Sequence, residues 1–363
     1  MTDEMPENSI RTDVLVIGAG QAGLAAAHFL TLEDIPHIVL DALPVVGDSW
    51  RRRYDALRLF TPRSLSSLPG MPLQGDPDGY AGRDEFADYL ARYGRGRRVE
   101  TGTEVTVLRR RGDLFEAAAD DGRTFTSRAV VVATGAFTRP AVPALSAGFA
   151  PEVQQMHVSQ FRNAGSVVDG TVLIVGDGAS GRDAAMALAA THDVVLARGR
   201  PRRLFPERIL GRSTWWWLHR LGLLRARPDS LIGRRMRRID PFPLRGNGDA
   251  DLARLGISLK PRLMAADGPA AVHGDGSRSF PAAIVWATGY AEDFRWIEIP
   301  GAASPDGRAI HAEGVSPVDG LYHLGRPWQR NRASGLILGV RDDARSIVGM
   351  LVHRLRTGSG CNT

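Results

Sequence analysis

The apolar positions of the chain follow one plan that is written twice. Residues 13–23 read DVLVIGAGQAG and residues 171–181 read TVLIVGDGASG. Each opens on a β-branched run, as suits a parallel strand buried on both faces. Each then passes through G-x-G-x-x-G into an alanine-rich helix, over 24–30 in the first copy and 182–190 in the second. Further on, AVVVATG ends at Gly135 and AIVWATG ends at Gly289. Gly18 to Ala133 is 115 residues and Gly176 to Ala287 is 111, so the copies also share a length. Both intervals hold short alternating strands with Asp-Gly turns. In the first these are 104–110, 114–119 and a strand after Asp121-Gly122. In the second they are 257–264 and strands after Asp267-Gly268 and Asp275-Gly276.

The glycines of such a turn have separate tasks. The first permits the tight strand-to-helix turn, the second lets backbone approach a pyrophosphate, and the third lets helix and strand pack closely. The helix that follows offers free N–H groups and about half a positive charge to the phosphates. One such motif in a chain with 41 glycines says little. Two copies, each between a strand and a helix and each matched downstream, mark two nucleotide sites. Gly18, Gly20 and Gly23, with Ala133, Thr134 and Gly135, belong to the first. Gly176, Gly178, Ser180 and Gly181, with Thr288 and Gly289, belong to the second. The predicted fold class is α/β, with two Rossmann-like dinucleotide-binding domains (three-layer ββα sandwich), the second inserted into the first. The first domain takes 1–165 and 285–363; the second takes 166–284, with a helical insertion over about 204–244.

The copies differ where cofactor identity is decided. After the first, strand 37–40 ends at Asp41, where a carboxylate holds an adenosine ribose hydroxyl. This favours FAD or NAD. After the second, strand 193–197 ends at Arg198, with Arg200, Arg202 and Arg203 next and no carboxylate in that stretch. Guanidinium suits a 2′-phosphate through paired hydrogen bonds, which favours NADPH. The alternative is a solvated loop in an arginine-rich chain.

Composition narrows the class. The 363 residues suggest two domains, and 43% hydrophobic with 24% charged residues fits a globular chain rather than a disordered one. Net charge is +6, but Lys260 is the only lysine and arginine is spread along the chain, so no nucleic-acid partner is expected. The single cysteine, Cys361, excludes a disulfide framework, a CxxC redox centre and a cysteine-based metal site. A reducing, cytoplasmic setting fits, and the acidic opening MTDEMPENSI does not read as an export signal. The uncharged stretch 14–32 is long enough for a membrane helix, but three glycines and Gln21 interrupt it.

On these residues the chain resembles the class B flavin-containing monooxygenases, and among them a short bacterial branch related to plant-type indole-pyruvate monooxygenases. The resemblance runs over nearly the whole chain and includes VGDSWRRRYDALRLFTPRSLSSLPGMP at 46–72. It implies FAD in the first domain and NADPH in the second. It also implies that Gly47, Ser49 and Trp50 pass over the flavin, although Trp50 in a core would look the same. The family's H-x-x-x-[FY] element is present as His157 and Phe161 at the link between domains, while Pro151 and Val153 replace the Phe and Gly of its fuller fingerprint. Phe60 stands where some members have a polar Asn or His, so no peroxide-stabilising role transfers to it. Thr61 and Arg63 match the bacterial Thr-Pro-Arg pattern and are the candidates to line the flavin cavity, against a capping threonine and a solvated arginine. GLYHLG (320–325) reads as a strand returning to the flavin with Gly325 at its end. The helix of about 335–355 then either stabilises charge on reduced flavin or simply caps the sheet.

The implied activity is insertion of one oxygen atom from O2 into a small organic substrate through a C4a-(hydro)peroxyflavin, with NADPH as reductant. Two rivals stay open: a reductase or dehydrogenase of the same plan, and a flavin-binding regulatory protein. Between Leu204 and Leu244 the copies stop matching. The segment with Trp215, Trp216 and Trp217, followed by GRRMRRI (233–239), reads as a lid on the substrate channel, a weak membrane-surface contact or a dimer contact.

Overall fold

The computed structural model describes residues 9–199, 204–239 and 242–357. Arg200, Arg202, Arg203 and Cys361 lie outside the described residues.

Four parallel strands make the heart of the first sheet, in the spatial order Val99–Thr101, His37–Asp41, Ser9–Ile17, Thr124–Val132. Strand Leu321–His323 extends it beside residues 130–132, and the antiparallel pair Val105–Arg111 and Leu114–Ala119 joins lower on the same strand. The unbroken apolar runs are explained by burial on both faces. Val14, Val16, Val39 and Val131 pack with Leu24 and Leu30 of helix Gln21–Leu32 and with Ile347 and Leu351 of helix Ile337–Thr357. Leu15, Ile17, Ile38 and Val130 face the other way, onto Phe115, Phe125 and Ile297.

The second sheet is parallel throughout, in the order Ser258–Lys260, Asp193–Ala197, Thr171–Val175, Ala283–Trp286, Gln154–His157. Helix Ala179–Leu188 covers one face with Ala184, Ala185 and Leu188. On the other face Leu173, Ile284 and Trp286 meet Phe149, Leu263 and Ala271. The chain crosses between the sheets twice, and the crossings lie side by side as the antiparallel pair Arg139–Pro140 and Tyr290–Ala291.

Three expectations shift. The stretch 257–264 is two strands, because Pro261 has no N–H to continue a ladder: Ser258–Lys260 joins the parallel sheet and Leu263–Asp267 the antiparallel one. Strand Gln154–His157 belongs to the second sheet through its pairing with Ala283–Trp286. The second sheet therefore begins well before residue 166, and the expected boundary at 284–285 falls inside a strand. QQMH carries no apolar run, and only a partner about 130 residues away makes it a strand. The insertion is not purely helical. Helices Thr214–Arg220 and Leu231–Ile239 are preceded by a hairpin at 208–213, and the segment is closed by the parallel pair Leu204–Pro206 and Phe242–Leu244.

Candidate functional site

Each glycine turn abuts the downstream ATG motif of its own copy. Gly18 has φ +107°, and a Cβ there would sit 2.6 Å from the Ala133 carbonyl oxygen. At Gly23 it would sit 1.8 Å from the Gly18 carbonyl oxygen, while at Gly20 it would meet nothing within 4 Å. Steric demand thus brackets one open glycine, the arrangement a pyrophosphate needs. In the second turn Gly176 (φ +106°) stands against Ala287, and a Cβ on Gly181 would lie 1.9 Å from the Gly176 oxygen. Gly178 caps helix Ala179–Leu188, with Ser180 in its first turn.

Around the first turn, Asp41 accepts from the Ala19 and Leu43 amides at 2.6 and 2.8 Å. Burial pushes its carboxyl above the usual range, and the two amides pull it back. Trp50 donates its indole N–H to Gln21 (3.2 Å) and sets its ring edge-on to Phe86 (4.8 Å). Gly47 (φ +97°) lies against the Ala87 carbonyl, and Ser49 is exposed in the short helix Asp48–Arg51. Thr134 and Gly135 follow Ala133 directly. Leu324 donates to the Val132 carbonyl at 3.0 Å, which delivers Gly325 (φ +79°) to Ala22 of the first helix.

Around the second turn, Arg198 leaves the end of its strand and pairs with Asp249 at 2.8 Å. The stretch after the strand holds no carboxylate, as read, but the fold brings one from helix Asp249–Arg254, out of reach of any local reading. The other oxygen of Asp249 takes Arg182 at 2.8 Å, and Asp177 accepts from the Gly199 amide. His157 donates from Nε2 to the Gly289 carbonyl (3.0 Å), so Nδ1 accepts from the Ser159 amide. Burial holds its pKa below the ordinary value. Thr288 donates to the Ala141 carbonyl, fixing the second ATG motif to the crossing strand.

The segment 46–72 reaches both turns. Beyond Trp50, Tyr54 donates to Asp183 on the helix of the second turn at 2.8 Å. Arg53 donates to the Tyr290 hydroxyl at 3.1 Å and lies over the Phe137 ring at 5.2 Å. Tyr290 in turn meets the His157 ring edge-on at 4.8 Å. Arg53, Tyr54, Asp183, Asp249 and Tyr290 were not singled out by sequence reasoning. The first two stood inside the quoted stretch, where their spacing behind Trp50 was the available signal.

Thr61 and Arg63 both hold local structure. Thr61 is buried with its hydroxyl on Ser66 (2.8 Å), and Arg63 grips both Glu85 oxygens at 2.8 and 2.7 Å. Phe60 packs on Trp215 at 5.6 Å. Trp215 also joins Leu224, Ala333 and Leu336 in one cluster, so the first tryptophan of the insertion is core and seats it on the turn before the C-terminal helix. Leu210 (87% exposed) and Leu231 (86% exposed) face outward. Among the described residues no helix is long and apolar enough to cross a membrane.

Residues 15–205 match the family model described as pyridine nucleotide-disulphide oxidoreductase. The CzcO-like oxidoreductase of Geobacillus kaustophilus is 39% identical over 94% of this chain and 98% of its own. The indole-3-pyruvate monooxygenase YUCCA4 of Oryza sativa is 28% identical over 94% of this chain and 87% of its own. Among solved structures, the flavin-containing monooxygenase from Stenotrophomonas maltophilia superposes with a TM-score of 0.80 at 22% identity, covering 95% of this chain and 99% of that one.

Proposed function

Since the chain belongs to the pyridine nucleotide-disulphide oxidoreductase family and to its class B flavin monooxygenase-like branch, we propose that it is an FAD- and NADPH-dependent monooxygenase acting on a small organic substrate with O2. The observation that carries this is the pair of glycine turns, each pressed against the ATG motif of its own copy, joined by one segment that touches both. The one cysteine of the chain leaves no dithiol for disulfide chemistry, which separates this protein from the reductases that give the family its name.

The residues present fit both groups, each as one Rossmann-like domain. FAD is assigned to Gly18, Gly20, Gly23, Asp41, Gly47, Ser49, Trp50, Ala133, Thr134, Gly135 and Gly325. NADPH is assigned to Gly176, Gly178, Ser180, Gly181, Arg198, Thr288, Gly289 and His157; Arg200 lies outside the described residues. Hydride uptake and oxygen activation are the chemistry that FAD supplies when bound. The side chains bind, orient and exclude water. Asp41 already holds the first turn through Ala19 and can accept from a ribose hydroxyl. His157 fixes the backbone at Gly289, and Arg53 and Tyr54 hold the second turn against segment 46–72. Thr61 and Arg63 act as positioning residues for the turn at 61–66. The insertion, seated through Trp215 on Phe60 and Leu336, is assigned the role of a lid that keeps water from the flavin.

The test uses isotopically labelled O2 with NADPH and a panel of amines, sulfides and indole-pyruvate analogues. The proposal expects one labelled atom in the product of at least one substrate, with one NADPH consumed per product. NADPH oxidation matched by hydrogen peroxide whatever the panel member, or flowing only to an added acceptor, overturns it in favour of a reductase. Absence of NADPH oxidation overturns it in favour of a binding protein.

A further inference from the structure

At the end of strand Asp193–Ala197 the protein supplies its own anion to the cation meant for the nucleotide. Arg198 Nη1 lies 2.8 Å from Asp249 Oδ2, and both side chains are about half exposed. Asp249 is not free to leave with it. Its Oδ1 is held at 2.8 Å by Arg182, which is 3% exposed and fixed by the Asn247 and Asp177 carbonyls. A phosphate that recruits Arg198 must therefore detach it from a carboxylate that stays behind.

We propose that Asp249 tunes the choice between phosphorylated and unphosphorylated nicotinamide nucleotides, by competing with a ribose 2′-phosphate for Arg198. This rests on the assignment of the second turn to a pyridine nucleotide. Two physical effects act together. The guanidinium of Arg198 exchanges one anionic partner for another, so its gain on binding is a difference rather than a whole interaction. The carboxylate left on Arg182 then faces a phosphate that is nearly dianionic at neutral pH, and like charges in contact oppose binding. An unphosphorylated ribose meets the opposite situation, because its 2′-hydroxyl can donate to Asp249 Oδ2 while Arg198 stays in place. The sequence pattern of arginines after the strand points to strong preference for the phosphorylated nucleotide; Asp249 moderates it.

Isothermal titration calorimetry of the full chain with 2′,5′-ADP and with 5′-AMP reads this without turnover. Asp249→Asn keeps the shape and removes the charge. It should tighten 2′,5′-ADP by roughly three- to fivefold, the scale of a half-exposed charge contact, and leave 5′-AMP unchanged or weaker. Asp249→Ser gives a second route should the amide disturb the fold, with thermal melts confirming that both variants are folded. In an Arg198→Gln background the Asp249→Asn gain should shrink by about half or more, since the competition then has no object and only the like-charge repulsion remains. A 2′,5′-ADP to 5′-AMP affinity ratio unmoved by both Asp249 variants overturns the inference while sparing the nucleotide site. A full gain in the Arg198→Gln background overturns the competition in favour of simple repulsion. If the unaltered chain binds neither probe, the assignment of the second turn falls, and the inference with it.

Discussion

Tyr54 donates its phenolic hydrogen to Asp183 at 2.8 Å, and through this one bond the segment behind the first glycine turn grips the helix behind the second. Tyr54 is buried and Asp183 largely so. Burial pushes the Tyr54 hydroxyl and the Asp183 carboxyl upward together, with Arg245 offsetting part of the cost to Asp183. The contact is one of several that converge on segment 46–72. Arg245 donates to the Arg58 and Leu59 carbonyls, and Arg162 to the Arg51 carbonyl. Stability of the junction and geometry between the two turns are therefore carried by the same residues.

Tyr54→Phe should cost about 1–2 kcal/mol, because Asp183 loses its best donor in a buried setting and keeps Arg245 only at 3.5 Å. Urea denaturation followed by tryptophan fluorescence reads the loss. A change below about 0.3 kcal/mol would mean that water replaces the hydroxyl at no cost, and that the bond does not hold the junction.

The two glycine turns should separate in their cofactor dependence. Gly23→Ala drives a methyl to within 1.8 Å of the Gly18 carbonyl, and Gly181→Ala does the same at 1.9 Å from Gly176. Neither turn can relax without moving its strand, since Gly18 and Gly176 already press on Ala133 and Ala287. Gly23→Ala protein should be purified without visible flavin absorbance. Gly181→Ala protein should keep its flavin and lose NADPH affinity by more than about tenfold, a backbone clash far exceeding 1.4 kcal/mol. Loss of flavin in both variants would show that the turns fail as one unit.

Arg63→Lys tests whether Arg63 serves the turn or the flavin. The arginine fork makes two bonds to Glu85, and a lysine can offer only a point charge. The pair is partly exposed, so about 1 kcal/mol and a melting point lower by roughly 2–4 °C are expected. Flavin affinity should stay within about twofold. A larger change in flavin affinity with an unchanged melting point would place Arg63 at the cofactor instead.

Periodicity and spacing made the fold legible wherever the signal was local. The runs at 14–17 and 172–175 show their strands because both faces are buried, and Gly18, Gly23, Gly176 and Gly181 show their turns because no other residue fits. Strand Gln154–His157 was invisible, since its four residues alternate without an apolar face and pair with a strand far along the chain. Asp249 escaped for the same reason: nothing near residue 249 refers to Arg198, and only the helix Asp249–Arg254 folding under the sheet edge brings them together. Trp215 read as part of a lid, a membrane-surface contact or a dimer contact, yet it is core, because its partners Phe60 and Leu336 lie over 100 residues away on either side. Local chemistry survives translation into sequence; long-range ion pairs and seams do not.

Stability should fall on acidification, and two buried groups set the slope with opposite signs. His323 is fully buried, packed against Phe294 and His311, and neither ring nitrogen has a hydrogen-bond partner among the described residues. Burial first, then His311 and Arg326, hold its pKa down at about 3 against an ordinary 6.5. Between those values the unfolded chain takes a proton that the folded chain refuses. Stability from this group is complete above pH 6.5 and declines as pH falls toward 3. Asp343 does the reverse. Burial raises it to about 6 from an ordinary 3.8, so the folded chain keeps a proton that the unfolded chain releases. Its contribution is complete below 3.8 and is lost as pH rises through 6. At about 1.4 kcal/mol per pH unit the two slopes nearly cancel between about pH 4 and pH 6, and above pH 6 His323 acts alone. Lowered values at His37, His157 and His273, and at the ion-paired carboxylates Asp55, Glu85 and Asp319, add to the His323 side and outnumber the raised carboxyls of Asp41 and Asp183. Urea midpoints measured from about pH 4 to pH 7 should therefore rise with pH. His323→Leu, which removes a buried group lacking partners, should flatten the profile while leaving neutral-pH stability within about 1 kcal/mol. Asp343→Asn should steepen it between about pH 4 and pH 6, because the opposing slope disappears. A profile unchanged by both substitutions would mean that water reaches these groups in the folded state and that burial does not set their protonation.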